Sequence, residues 1–312
     1  MRNVSYFDML MSQVEIKPLI FKFRELYRII KLFPNWPDII LVAIGLKAIV
    51  KVSIKEGEQI TIHSLKDMRK LIYENPYYKI AVMPSRFKIG IGKYDIIFNY
   101  NKKQLHLYHG GNRKEINHAI GAISEIFCDN IYDKLDVKNK DVVDIGANIG
   151  DSALYFATKQ SKRVLAFEPY KNNLSIMSRS MLLNKIKNVV IINQAVADKI
   201  KTVKLPENGT FSSTINAKGK IPVEVTTLKS IVTNYNILNG VLKLDCEGSE
   251  YDIILSQQSS VLRKFNQMII EYHYGYKNLE KKLKIAGFKT IHTRPLHTQN
   301  MDIGLLFAQK IA

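Results

Sequence analysis

The chain has 312 residues, 46% of them apolar, which suits one large core with an extension and excludes an intrinsically disordered protein. Its formal charge is +18, from 46 basic against 28 acidic residues, a balance that attracts polyanions such as nucleic acid, anionic lipid or phosphorylated sugars. The basic residues are spread along the whole chain and no basic run is interleaved with aromatics, so a lysine-rich background outweighs a nucleic-acid platform.

The N-terminus lacks the charged-then-apolar order of a secretory signal. Leu19, Phe23, Leu26, Tyr27 and Ile30 recur at helical spacing with Lys22, Arg24, Arg28 and Lys31 between them, a basic amphipathic helix. Such a stripe packs on its own domain more often than on a membrane surface. Pro34 and Pro37 interrupt the pattern, and Asp38 caps a short helix through Gly45. The longest apolar run, residues 39–50, contains Gly45 and Lys47 and is too short to span a bilayer. From about residue 48 to 107 the period changes to two. Residues 50–54 and 60–62 flank the Glu56-Gly57-Glu58 turn as a hairpin, 64–73 is helical, and 87–91, 95–99 and 105–108 are further strands. His106 and His109, without carboxylates or cysteines beside them, read as surface histidines rather than metal ligands. Residues 116–132 form a helix leading into the second part of the chain.

From Asp141 the order becomes strand, helix, strand. Strands are expected at 142–145, 164–167, 189–193, 241–244 and 268–272, with helices at 152–158, 174–183, from 228, 251–262 and 278–285. An irregular, partly extended stretch lies between 193 and 228. Gly287 ends the last helix, and strands 288–292 and 304–308 follow with no helix between them, hence an antiparallel hairpin. Apolar β-branched strands alternating with helices mean a mainly parallel sheet between two helix layers. The expectation is an α/β fold, a seven-stranded sheet with an antiparallel C-terminal hairpin, over residues 121–312. Residues 1–120 form a smaller α+β extension. Cys128 and Cys246, the only cysteines, show no CxxC or Cys/His spacing, which argues against a disulfide framework or zinc site and for a reducing compartment. A soluble, cytoplasmic protein is expected.

In such a sheet a ligand lies across the carboxyl ends of the strands at the switch point. The first strand runs into Asp144-Ile145-Gly146-Ala147-Asn148-Ile149-Gly150-Asp151, a glycine turn opening a helix, where backbone N–H groups face a ligand. It is not the dinucleotide fingerprint, because Asn148 and Asp151 stand where GxGxxG requires glycines. Asp144 sits under the turn and can reach toward a ligand's ammonium group, directly or through water. Glu168, followed by Pro169, ends the second strand, where a carboxylate accepts hydrogen bonds from both ribose hydroxyls. Gln194 and Ala195, at the third strand end, are placed to border an adenine, with an exposed loop amide as the competing reading. The fourth strand end carries Asp245, Glu247 and Glu250, three acids in six residues that repel one another unless a cation, a proton or a ligand is present. Glu247 and Glu250 also suit the start of a helix, so Asp245 is the better candidate for chemistry. The fifth strand ends in Glu271-Tyr272-His273, and His273 is a candidate base for an acceptor hydroxyl, with a structural histidine the equal alternative.

Together, the 142–151 segment, Phe167-Glu168-Pro169 and Lys243-Leu244-Asp245-Cys246-Glu247-Gly248-Ser249-Glu250 resemble the FkbM-type methyltransferases, from about Glu125 to the C-terminus. The Asp-x-Glu-Gly-x-Glu block is the family-specific part; the glycine turn is shared by many methyltransferases. The resemblance implies a Rossmann-like class I methyltransferase fold and S-adenosylmethionine as cofactor. It also implies O-methylation of a hydroxyl on a sugar, glycan, polyketide or related small molecule. Asp144, Gly146, Asn148, Gly150 and Glu168 would hold the cofactor, and Asp245, Glu247 and Glu250 would lie at the catalytic mouth. A divalent metal is compatible with the acidic cluster but is not expected. An RNA methyltransferase, which would suit the charge, is the second reading, although no Asn/Asp-Pro-Pro-Tyr type of base-amine site is present. The third is a cofactor-binding, membrane-peripheral scaffold without turnover.

Overall fold

The computed structural model describes residues 37, 38, 41, 49–53, 59–63, 87–111, 113–205, 220–297 and 301–311. The N-terminal amphipathic helix, the Glu56-Gly57-Glu58 turn and the 64–73 helix lie outside the described residues. The chain divides into two compact units, residues 14–105 with 109–124, and residues 1–13, 106–108 and 125–312.

In the first unit, β1 (Val50–Ser53) and β2 (Gln59–Ile62) pair antiparallel with Val50 opposite Ile62, the register expected of the alternating pattern. β3 (Ile89–Ile91) pairs antiparallel with β4 (Asp95–Tyr100), and β5 (Lys103–Tyr108) is next in that sheet. The expected helix over 116–132 is shorter and not uniform. α1 (Arg113–Ala122) passes into wider π turns over Ile123–Cys128, and Asn130, at φ +54°, takes the chain out of the helix. Its Nδ2 donates to the Cys128 carbonyl, satisfying one of the acceptors a helix end leaves open. The surface assignment of His109 is wrong: the ring is 1% exposed, its Nδ1 accepts from the Gly111 N–H, and burial lowers its pKa.

The second unit holds the large sheet. β6 (Asp141–Ile145), β7 (Arg163–Phe167) and β8 (Val189–Ile192) run outward on one side; β12 (Gly240–Leu244) and β13 (Phe265–Tyr272) run parallel on the other. β14 (Phe288–His292) and the long β16 (Asp302–Lys310) complete the order β14-β16-β13-β12-β6-β7-β8, with β16 antiparallel to both neighbours. This is the seven-stranded, mainly parallel sheet with a reversed terminal strand expected of a class I methyltransferase. The switch point falls between β6 and β12. The two-residue β15 (Leu296–His297) pairs with β16 off this path.

Helices follow the strands: α2 (Asp151–Thr158), α3 (Lys171–Leu183), α4 (Leu228–Asn234) and α7 (Lys277–Ile285). The helix expected over 251–262 is two short ones, α5 (Glu250–Leu255) and α6 (Ser259–Leu262), because Gln258 is extended at φ −71°, ψ 149°. Alternate strand residues, among them Val143, Ile145, Leu165, Phe167, Leu242, Leu244 and Ile270, pack on one face against Leu228, Ile231, Ile253, Leu279 and Leu283. The stretch read as irregular contains a second sheet. β9 (Ala195–Ala197) pairs parallel with β11 (Ile221–Thr227), which pairs antiparallel with β10 (Lys201–Leu205), over a core of Ala195, Ala197, Leu205, Val223 and Val225. Among the described residues no helix is long and apolar enough to cross a membrane.

Candidate active site

The turn after β6 hangs on the end of β7: the N–H groups of Gly146 and Ala147 both donate to the Phe167 carbonyl, at 3.1 and 3.0 Å. Gly146 lies at φ +78°, and a Cβ there would stand 1.7 Å from the Asp245 carbonyl oxygen, so only glycine lets β6 and β12 approach this closely. Gly150, at φ +87°, has Met177 of α3 where its Cβ would be. Both glycines are therefore required by the packing.

Asp144 lies under the turn as expected, but its side chain is wholly buried. β6 and β12 pair with Asp144 beside Lys243, on the sheet face opposite the apolar cluster. The Lys243 ammonium is 3.3 Å from Asp144 Oδ1 and 3.8 Å from Asp245 Oδ2, and it donates to the Gly146 carbonyl at 2.7 Å. Ser152 of α2 donates to Asp144 Oδ2 at 2.7 Å. Asp144 is thus held beneath the turn by a lysine and a serine, while its Oδ1 makes no hydrogen bond among the described residues. Burial alone would lower the pKa of Lys243; Asp144 first, then Asp245 and Asp151 among others, hold it well above the ordinary value. Asp151 is nine-tenths buried, burial pushes its carboxyl up to about 7, and its Oδ1 has no hydrogen-bond partner among the described residues.

Glu168 closes the turn from β7. Its Oε2 accepts from the Asn148 N–H at 3.0 Å, and its Oε1 accepts from the Tyr170 N–H at 2.9 Å and Asn173 Nδ2 at 3.1 Å. Asn173 also reaches Asn148 Oδ1, so both expected cofactor residues belong to one network. Burial pushes Glu168 up to about 7 against these three donors. Asn193 Nδ2 donates to the Glu168 and Pro169 carbonyls, tying the third strand end to the second. Gln194 and Ala195 turn the other way. The Gln194 amide donates to Glu224 of β11 at 3.2 Å, and Ala195 is buried at the start of β9. The competing reading, an amide engaged in its own loop region, fits Gln194 better than an adenine border.

At the fourth strand end, Glu250 is fully buried and its two oxygens accept from the Cys246 and Gly248 N–H groups, each at 2.7 Å. It holds the 245–249 loop in shape, with Glu247 at φ +56° and Gly248 at φ +104°. Asp245 and Glu247 keep about a third of their side chains exposed. Burial, with Asp245 adding to it, pushes Glu247 up to about 7. His273 is surrounded by carboxylates: Glu250 Oε1 3.3 Å from Nδ1, Glu247 Oε2 3.5 Å and Glu271 Oε1 4.0 Å from Nε2. Burial opposes its protonation, but Glu250, Glu271 and Asp245 prevail and raise it to about 10. Carboxylates that hold the ring's proton this way favour the structural reading of His273 over the base reading.

Residues 144–290 match the family model described as Methyltransferase FkbM domain. Over this segment the chain is similar to the FkbM methyltransferases. Uncharacterized protein 158B of Sulfolobus islandicus rod-shaped virus 1 is 27% identical over 143 residues, 46% of this chain and 66% of the viral protein, just under two thirds of its length. Solved structures with similarity include an rRNA methylase from Streptococcus thermophilus (15% identity, 58% of this chain and 91% of that one, TM-score 0.38). Another is TrmK of M. capricolum in complex with S-adenosyl-homocysteine (14% identity, 56% and 64%, TM-score 0.37). A third is a ribosomal protein L11 methylase from Lactobacillus delbrueckii subsp. bulgaricus (17% identity, 64% and 81%, TM-score 0.34). At these scores the likenesses carry no argument about the acceptor.

Three members of the FkbM-like segment's polar network escaped the sequence reading: Lys243, Asn173 and Ser152. Lys243 did leave a signal, a lone cation inside the apolar strand Gly240–Leu244, which must find a partner when buried. The two helix polars left none.

Proposed function

We propose that the chain is an S-adenosylmethionine-dependent methyltransferase that methylates a hydroxyl group of a sugar, glycan or other small molecule. The observation that carries this reading is the linkage of three strand ends within the FkbM-like segment. The glycine turn is bonded to Glu168 on one side and meets the Asp245 loop on the other. The residues fit the cofactor. Glu168 receives three donors where a carboxylate offers about four acceptor sites, leaving capacity for a ribose hydroxyl. Asp151 Oδ1, like Asp144 Oδ1, is a buried acceptor with no hydrogen-bond partner among the described residues, and either can meet a cationic group.

S-adenosylmethionine supplies a methyl group on an electrophilic sulfonium. The chain's own contribution is then position: the turn and Glu168 hold one reactant, and the 245–249 loop, clamped by Glu250, fixes where the other approaches. One of the partly exposed carboxylates of that loop, Asp245 or Glu247, accepts the hydroxyl proton.

The test is incubation of the full chain with methyl-labelled S-adenosylmethionine and fractionated cell extract. Label is expected in glycan or small-molecule fractions; label in RNA, with salt-sensitive RNA binding, would replace this reading with an RNA methyltransferase. Glu168→Ala is expected to weaken cofactor affinity about 10- to 100-fold, because a charge-assisted hydrogen bond is worth roughly 1.5–3 kcal/mol. Calorimetric titration with unchanged affinity would remove Glu168 from the cofactor site.

A further inference from the structure

We propose that Asp245, Glu250 and His273 form a binding site for a divalent cation, Mn²⁺ or Mg²⁺, at the carboxyl ends of β12 and β13. One ligating atom from each of the three lies within 4.8 Å of the others. Ligands bound about 2.2 Å from one ion stand up to about 4.4 Å apart, so small side-chain rotations close the three on a single centre.

Two independent features turn a group of acids into a site. The first is His273, whose side chain is 6% exposed and whose Nδ1 is shut off from solvent with no hydrogen-bond partner. Glu250 Oε1 lies 3.3 Å away but out of hydrogen-bonding alignment. The buried Nδ1 faces Glu250, and Nε2 across the ring faces Glu247 and Glu271, so the imidazole stands among carboxylates that can share a cation with it. The second is that Glu250 is pre-oriented. The Cys246 and Gly248 N–H groups hold its two oxygens and fix the carboxylate while leaving lone pairs free, as the outer partners of metal ligands do.

Charge points the same way. Asp245, Glu247, Glu250 and Glu271 gather around one imidazole, and the neighbouring cation, Lys243, is closer to Asp144 than to Asp245. The carboxylates and the lack of a thiolate among the three ligands suit a hard divalent ion, and the single imidazole favours Mn²⁺ over Mg²⁺. The cation would bind the oxygen of an acceptor hydroxyl and draw charge from it as the methyl group arrives. That purpose rests on the hydroxyl reading above; the binding itself does not.

The experiment titrates Mn²⁺ into the metal-stripped full chain and follows free Mn²⁺ by electron paramagnetic resonance, with neither cofactor nor acceptor present. One saturable site per chain is expected, with competition by Mg²⁺. Asp245→Asn and His273→Gln should each weaken it at least tenfold while circular dichroism shows a folded chain. Asp245 is partly exposed, so its variant is the one to trust if His273→Gln does not fold. No saturable binding by the wild type, or wild-type affinity in Asp245→Asn, overturns the site. A chain that binds Mn²⁺ but no S-adenosylmethionine upholds the site and defeats the methyltransferase reading; the reverse pattern does the opposite.

Discussion

Lys243 and Asp144 face each other across neighbouring strands with almost no solvent contact, 4% and 0% exposed. Removing one member of such a pair leaves the other charged and unsolvated, which costs about 3–5 kcal/mol. Lys243→Met is therefore expected to destabilise the domain by about that much and to lower Tm by roughly 6–20 °C in calorimetry. Retention of the wild-type Tm would mean that the pair contributes nothing. The residues of this pair are both visible in the sequence, but their pairing is not. The partner of Asp144 lies 99 positions away, and only the β6–β12 register brings the two together.

At the scale of elements, the 245–249 loop depends on one side chain. Glu250→Ala would free the Cys246 and Gly248 N–H groups, and each buried donor left unsatisfied costs about 1–3 kcal/mol. The expected outcome is loss of amide exchange protection confined to the start of α5 and its preceding loop, read by hydrogen–deuterium exchange mass spectrometry. Unchanged protection there would assign the loop's shape to Gly248 and Glu247 backbone conformation alone. The large sheet was legible because its strands carry their signal locally, as runs of β-branched residues between helical periods. The second sheet was not. β9 has three residues, and β10 and β11 are separated in the sequence by residues 206–220, so their pairing leaves no local periodic signature. The split between α5 and α6 was hidden for a similar reason: apolar spacing continues through it, and the break comes from the backbone of Gln258.

Over the whole molecule, buried acids make stability depend on pH. Asp151 rises from an ordinary 3.8, and Glu168 from 4.5, to about 7. The folded state therefore holds these protons more tightly than the unfolded chain does. That contribution is fully present below the unfolded values and is lost as pH rises through about 7. The ligand-free protein is expected to melt at a lower temperature at pH 8 than at pH 6, and Asp151→Asn, which cannot ionise, should flatten that slope. An equal slope in the variant would show that Asp151 does not titrate in this range.

Short-range information determined the order of strands and helices in the FkbM-like segment, its glycine turn and the acid at each strand end, because propensity, periodicity and turn chemistry act over a few residues. It also carried the resemblance to the FkbM methyltransferases, through the Asp-x-Glu-Gly-x-Glu block. Tertiary structure alone decided what those acids do. Strand register gave Asp144 to Lys243, a loop's own N–H groups took Glu250, and three carboxylates from two strand ends surround His273. The charge state and free lone pairs of a buried group depend on neighbours that the fold supplies from far along the chain.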